Sequence, residues 1–193
     1  MNINFIFILS VLYFFIPAYC TNMAPPFAKY LGVLRSLDKP IDGNKTFKGK
    51  PILGSHKTWR GIVAGLIAGL LAVLIQAWLY NFSFFKSISF LNYHQINIFV
   101  FGLLISFGTL FGDCLFAFFK RRIGKKPGER WLPFDQINYV IGCSVFLTPY
   151  LWNYFPDKKF FLILWILLLT LTFFLHIIFN RLGYLLKIHQ AKW

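Results

Sequence analysis

Residues 112–139, GDCLFAFFKRRIGKKPGERWLPFDQINY, place two acids on either side of a block of cations. Asp113 sits late in a long apolar segment. Lys120, Arg121 and Arg122 follow, then Lys125, Lys126 and Arg130, and Asp135 comes two residues after Pro133, where the next apolar segment begins. The chain has only six acidic residues, so putting two at the edges of membrane-like segments is costly and ordinarily marks function. Two carboxylates facing each other across a cationic loop suit a divalent ion surrounded by phosphates. Asn138, three residues after Asp135, projects from the same helix face and offers an amide oxygen at similar depth. Hard oxygen donors with no His or Cys nearby favour Mg²⁺, which keeps waters and takes phosphates as its remaining ligands. Each acid also has a plainer explanation. Asp135 would be favoured by the dipole of a helix starting at Pro133, and Asp113 would be satisfied by an ion pair with a neighbouring Arg.

Long apolar segments must position these groups. Of 193 residues 58% are hydrophobic and 21% aromatic, and mean hydropathy is +0.62, well beyond a soluble domain. Net charge is +14; because the cations alternate with apolar runs, they read as membrane flanks and not as a nucleic-acid surface. The expected fold is an all-α integral membrane protein, one membrane domain over residues 1–193. Its transmembrane helices number about five, near 3–24, 61–80, 96–119, 133–152 and 160–179. The first reads as a retained helix ending near Asn22 or Pro25-Pro26, because no cation precedes it and Pro-Ala-Tyr-Cys is a poor cleavage site. The second carries Gly61, Gly65 and Gly69 at close-packing spacing.

The segments between and after these spans carry 8, 1, 6, 2 and 3 cations in turn. By the positive-inside rule the N-terminus is outside and the C-terminus cytoplasmic, with the cation-rich loops 27–60 and 120–132 on one cytoplasmic face. At about 1.5 Å per residue, Asp113 lies roughly 10 Å deeper than Lys120, just inside that face. The first loop ends in Gly54-Ser55-His56-Lys57-Thr58-Trp59-Arg60-Gly61. Lys57-Thr58 come two residues late for a Walker A motif and no strand precedes them, which excludes a P-loop NTPase. Small residues, a Lys, a Thr hydroxyl and an Arg opening a helix still form a phosphate-binding edge, against the plain alternative of a topological cationic flank. His56, His94, His176 and His189 show no metal-ligand spacing, and Cys20, Cys114 and Cys143 show no CxxC.

On these residues the sequence resembles the CDP-archaeol synthase family, relatives of the phosphatidate cytidylyltransferases. The resemblance runs from Asn22 and Pro25 through Pro40-Ile41-Asp42 and residues 54–61 to Gly112-Asp113, Lys120-Arg121-Arg122 and Asp135-Gln136. It implies Mg²⁺-dependent transfer of CMP from CTP to a membrane lipid phosphate, with release of pyrophosphate, by a multi-pass protein of the cell membrane. Carried over, Asp113 and Asp135 hold the metal, with Asn138 as a further oxygen. Lys120 joins the catalytic set, and Lys57, Thr58, Arg60, Arg121, Arg122 and Asn22 bind substrate. CTP, the lipid phosphate and the bilayer are the implied partners, a homodimer is allowed, and nucleic acid is excluded. Two positions depart from the family's pattern: Asn138 stands where an acid is usual, and Ala117 where Ser is usual. The competing readings are a small transporter or lipid-binding protein without catalysis, and a family member that has lost activity. A transporter would place polar groups at the midplane of several helices, whereas here the second and fifth spans offer mainly Gln76 and His176.

Overall fold

The computed structural model describes residues 4–155 and 157–186; Lys187, His189 and Lys192 lie outside them. α1 spans Phe5–Tyr30, opened by Asn4, whose side chain accepts from the Phe7 N–H at 2.9 Å. It runs through Pro17, Pro25 and Pro26, so it does not end at the proline pair as the sequence suggested. A proline inside a helix strips the donor from the carbonyl four residues back, and in a membrane that carbonyl needs another partner. Pro17 frees the carbonyl of Tyr13, and the Gln76 side chain donates to it from the next helix at 2.5 Å. Tyr93 Oη then donates to Gln76 Oε1 at 3.0 Å. Below Pro25, Gly65 packs directly on the Thr21 carbonyl. Gln76, the polar residue a transporter reading would use, is thus a structural clasp. Gln76→Leu is expected to lower stability by about 1–2 kcal/mol with turnover unchanged, measured by thermal unfolding in detergent.

After α1 a 3₁₀ turn, Arg35–Leu37, leads to a two-stranded antiparallel hairpin, β1 (Thr46–Phe47) and β2 (Lys50–Pro51), with Thr46 opposite Pro51. α2 (Trp59–Leu79) is capped by Thr58, whose hydroxyl accepts from Gly61 N–H at 3.3 Å. The connection at the other end of the bundle holds the short α3 (Ser83–Ser87). α4 (Ile98–Arg122) returns, capped by Asn97, and α5 (Phe134–Leu151) and α6 (Lys159–Leu185) complete the bundle. α4 packs between α2 and α5, while α6 packs on α5 and α1. α1 and α6 run the same way: Phe7 faces Phe160 near their starts, and Tyr19 Oη lies 3.0 Å from Thr172 Oγ1 further along. Phe14, Phe15, Phe101, Val140, Leu147 and Leu164 fill the centre.

Among the described residues four helices are long and apolar enough to cross a membrane: Phe5–Tyr30, Trp59–Leu79, Ile98–Arg122 and Lys159–Phe179. The expected count of five therefore holds only approximately. α5 stands outside the set because its first turns hold Asp135, Gln136 and Asn138. These polar residues are tolerated because α5 lies between α4 and α6 and buries Gln136 and Asn138. The alternating directions bring the end of α1, the start of α2, the end of α4 and the start of α5 to one end of the bundle.

Candidate active site

At that end a cavity of about 270 Å³ is walled by four separate segments. The first loop contributes His56 and Lys57, α4 contributes Asp113, Lys120 and Arg121, and α5 contributes Asp135 and Asn138. Pro127 and Glu129, from the loop between α4 and α5, close the fourth side. Both expected acids thus face one space, as do the two cation-rich loops.

Glycine contacts bring α4 and α5 together beside the acids. Gly108 and Gly112 of α4 meet Gly142 of α5 backbone to backbone: a Cβ on Gly142 would lie 2.1 Å from the Gly108 carbonyl oxygen and 2.6 Å from Gly112 Cα. A Cβ on Gly112 would lie 2.3 Å from the Asn138 carbonyl oxygen. This approach places Asp113 Oδ1 3.3 Å from Asn138 Nδ2, one turn along α5 from Asp135. The signal was in the sequence as the four-residue spacing of Gly108 and Gly112 just before Asp113, the pattern also seen in the second span.

Each acid has an ammonium partner. Lys57 Nζ donates to Asp113 Oδ2 at 2.5 Å, and Lys120 Nζ donates to both oxygens of Asp135 at 2.8 and 2.7 Å. Asp135 Oδ2 also accepts from the Trp131 N–H at 2.7 Å. The ion pair foreseen for Asp113 exists, but with a lysine from the first loop and not a neighbouring arginine. Burial pushes the Lys57 ammonium down, and the Asp113 carboxylate outweighs it, leaving Lys57 firmly cationic. His56 is held below its ordinary value by burial and then by Lys29, Lys57 and Arg121, so it is neutral at pH 7. Arg121 is buried, and its Nε and Nη1 have no protein partner. Arg121 lines the cavity wall, where its positive charge suits an anion.

The loop is held in place by a group the sequence reading had placed only within the Pro40-Ile41-Asp42 motif. Asp42 accepts from the N–H groups of Asn44, Leu53 and Gly54 at 3.0, 2.8 and 3.1 Å. Burial is the largest single influence and opposes its ionisation, but the backbone donors together outweigh it and keep its carboxyl below the ordinary carboxylate range. Ile41 N–H donates to Lys57 O at 2.9 Å and Trp59 N–H to Lys39 O at 3.0 Å. The strap so formed aims Lys57 inward.

Other expected site residues are placed elsewhere. Arg60 is buried against Asp38, Nη2 to Oδ2 at 2.8 Å, and Thr58 is occupied as the α2 cap. Asn22 lies half-buried along α1, apart from the cavity wall. Arg122 turns away from the cavity to the hairpin: it donates to Phe47 O at 2.6 Å, Lys50 O at 3.2 Å and Pro51 O, and stacks 4.8 Å from the Phe118 ring centroid. Lys50 reciprocates on Arg122 O at 2.8 Å. Arg122→Ala is expected to loosen this hairpin by about 2 kcal/mol, seen as faster limited proteolysis within residues 44–52. Ala117 does line the cavity, so a hydroxyl there would have faced it.

Mg²⁺ fits the donor chemistry through two carboxylates only. Among the described residues no cluster of three His, Cys, Asp or Glu side chains stands ready to cage an ion, so waters and phosphate oxygens would have to complete the shell of a bound ion. Asn138 presents Nδ2 to Asp113, and its Oδ1 accepts from Tyr139 N–H at 2.6 Å. As placed, it orients Asp113 and does not add the third oxygen expected from sequence.

Fold and cavity together define a multi-pass integral membrane protein with an acid–cation site at one end of a helical bundle. Residues 3–193 match the family described as CarS-like, CDP-archaeol synthase. The CDP-archaeol synthase of Methanosarcina barkeri (strain Fusaro / DSM 804) is 34% identical over 92% of this chain and 99% of that protein. That of Picrophilus torridus is 34% identical over 99% and 100%, and that of Methanococcus aeolicus 29% over the whole of both. The chain belongs to the CDP-archaeol synthase family. A solved structure, reported as structural insight into an intramembrane enzyme for archaeal membrane lipids biosynthesis, shares the fold with TM-score 0.68 over 90% of this chain and 94% of that one, at 23% identity.

Proposed function

We propose that the protein transfers CMP from CTP to a membrane lipid phosphate on the cytoplasmic side, giving a CDP-lipid and pyrophosphate. The observation that carries this is one cavity lined by both carboxylates, two lysines and Arg121. The names of the relatives add archaeol as the lipid part. A lipid phosphate is already anionic at neutral pH, so its oxygen needs no strong general base. That oxygen forms a bond to the α-phosphorus while the bond from the α-phosphorus to the bridging oxygen breaks, and pyrophosphate leaves with the electron pair. Lys57, Lys120 and Arg121 neutralise the triphosphate and the leaving group. The strap at Asp42 and the glycine contact of α4 with α5 hold these groups in register. Asp113 and Asp135 are the residues to hold Mg²⁺, which when bound supplies further charge neutralisation on the phosphates.

The test is purified protein with labelled CTP, Mg²⁺ and a panel of lipid phosphates carrying either ether-linked isoprenoid or ester-linked acyl chains. CDP-lipid and pyrophosphate should appear in equal amounts, fastest with the isoprenoid lipid. No CDP-lipid from any acceptor would refute the reading.

A further inference from the structure

Both carboxylates that would hold the ion are already occupied by ammonium groups, 2.5 Å away at Asp113 and 2.7 Å at Asp135. These pairs are only partly exposed: side-chain accessibility is 25% for Lys57 and 10% for Lys120. Solvent therefore screens them less than it would surface pairs. The charges on the wall are three cations, Lys57, Lys120 and Arg121, against three acids, two of them Asp113 and Asp135. The remaining acid, Glu129, is engaged by Lys125 Nζ at 2.8 Å and the Lys126 N–H at 2.9 Å.

A free divalent cation entering this space would have to expel two ammoniums from their acceptors and leave three cations beside it. A metal-bound triphosphate changes that balance. Its oxygens receive the displaced lysines, and its negative charge meets Lys57, Lys120 and Arg121 on the wall.

We infer that Lys57 and Lys120 act as paired stoppers that keep the site from binding a bare metal ion, so that ion and nucleotide are taken up together. This rests on the proposed CTP- and Mg²⁺-dependent reading. It adds a role for the two lysines before any chemistry: they hold the carboxylates until the phosphates of a nucleotide draw them away. Because linkage is reciprocal, the ion must strengthen nucleotide binding by the same factor as the nucleotide strengthens that of the ion.

The experiment follows Mn²⁺ by the electron paramagnetic resonance signal of the free aqua ion, with purified protein in detergent and no turnover. Wild-type protein is expected to bind Mn²⁺ alone weakly, and to bind α,β-methylene-CTP about tenfold more tightly with Mn²⁺ than without it. Lys57→Met with Lys120→Met should bind Mn²⁺ alone about tenfold more tightly than wild type and lose most of the coupling. Each single variant should show a smaller gain, which keeps the comparison decisive if the double variant is unstable, and Lys57→Arg should behave as wild type. Wild-type affinity for Mn²⁺ alone equal to that of the Met variants overturns the stopper role and leaves the metal reading standing. No Mn²⁺ bound by any form, with or without the nucleotide, overturns both.

Discussion

Asp113→Ala and Asp135→Ala are each expected to lower turnover by about 10³-fold or more, with both proteins still present in the membrane and monodisperse in detergent. The size follows from what each carboxylate holds. Asp113 receives Lys57 and Asn138, and Asp135 receives Lys120 and the Trp131 N–H. Removing either deletes a carboxylate of the proposed ion site and also releases the ammonium paired with it. Asn substitutions keep the shape and lose the charge, so Asp113→Asn and Asp135→Asn should be nearly as inactive, separating charge from packing. Initial rates at saturating CTP and lipid, normalised to folded protein, give the answer. Rates near wild type in both alanine variants would remove the acids from the mechanism.

Gly142→Leu is expected to lower turnover by about 100-fold from a position with no chemistry of its own. Its new side chain would start 2.1 Å from the Gly108 carbonyl oxygen, and backbone cannot yield as a flexible side chain would. α4 and α5 would have to separate, costing about 1–3 kcal/mol in stability, and Asp113 would move away from Asn138 and Asp135. A displacement of about 1 Å at reacting groups costs on the order of 100-fold in rate. Gly142→Ala, with a single methyl in the same place, should fall between. Thermal unfolding and CTP turnover measured together distinguish this from simple loss of protein.

Much of this was readable from residue types because the membrane penalises charge. An acid in an apolar run is rare enough that Asp113 and Asp135 stand out, and the clustering of cations in two segments was enough to bring distant loops to one end. What the sequence did not show are pairings that compete locally. Arg60 and Arg122 looked like phosphate ligands by sign and position. Yet Asp38 captures the first and three hairpin carbonyls the second, partners visible only once the loop is folded. Asn138 was legible as a polar residue on the right face, but its orientation is decided by Asp113 and the Tyr139 N–H. Pro25-Pro26 signals a helix end in water, where freed carbonyls have no helix to lean on. Here α2 covers them, and α1 continues to Tyr30.

The clasp between Gln76 and the Tyr13 carbonyl bears on how the protein is made. Each half is a defect by itself: an open carbonyl deep in the first span, and an amide side chain in the second, both poorly soluble in lipid. Emerging from the ribosome one after the other, neither segment is at ease in the bilayer until the other arrives. The first two spans should therefore leave the translocation machinery as a joined hairpin.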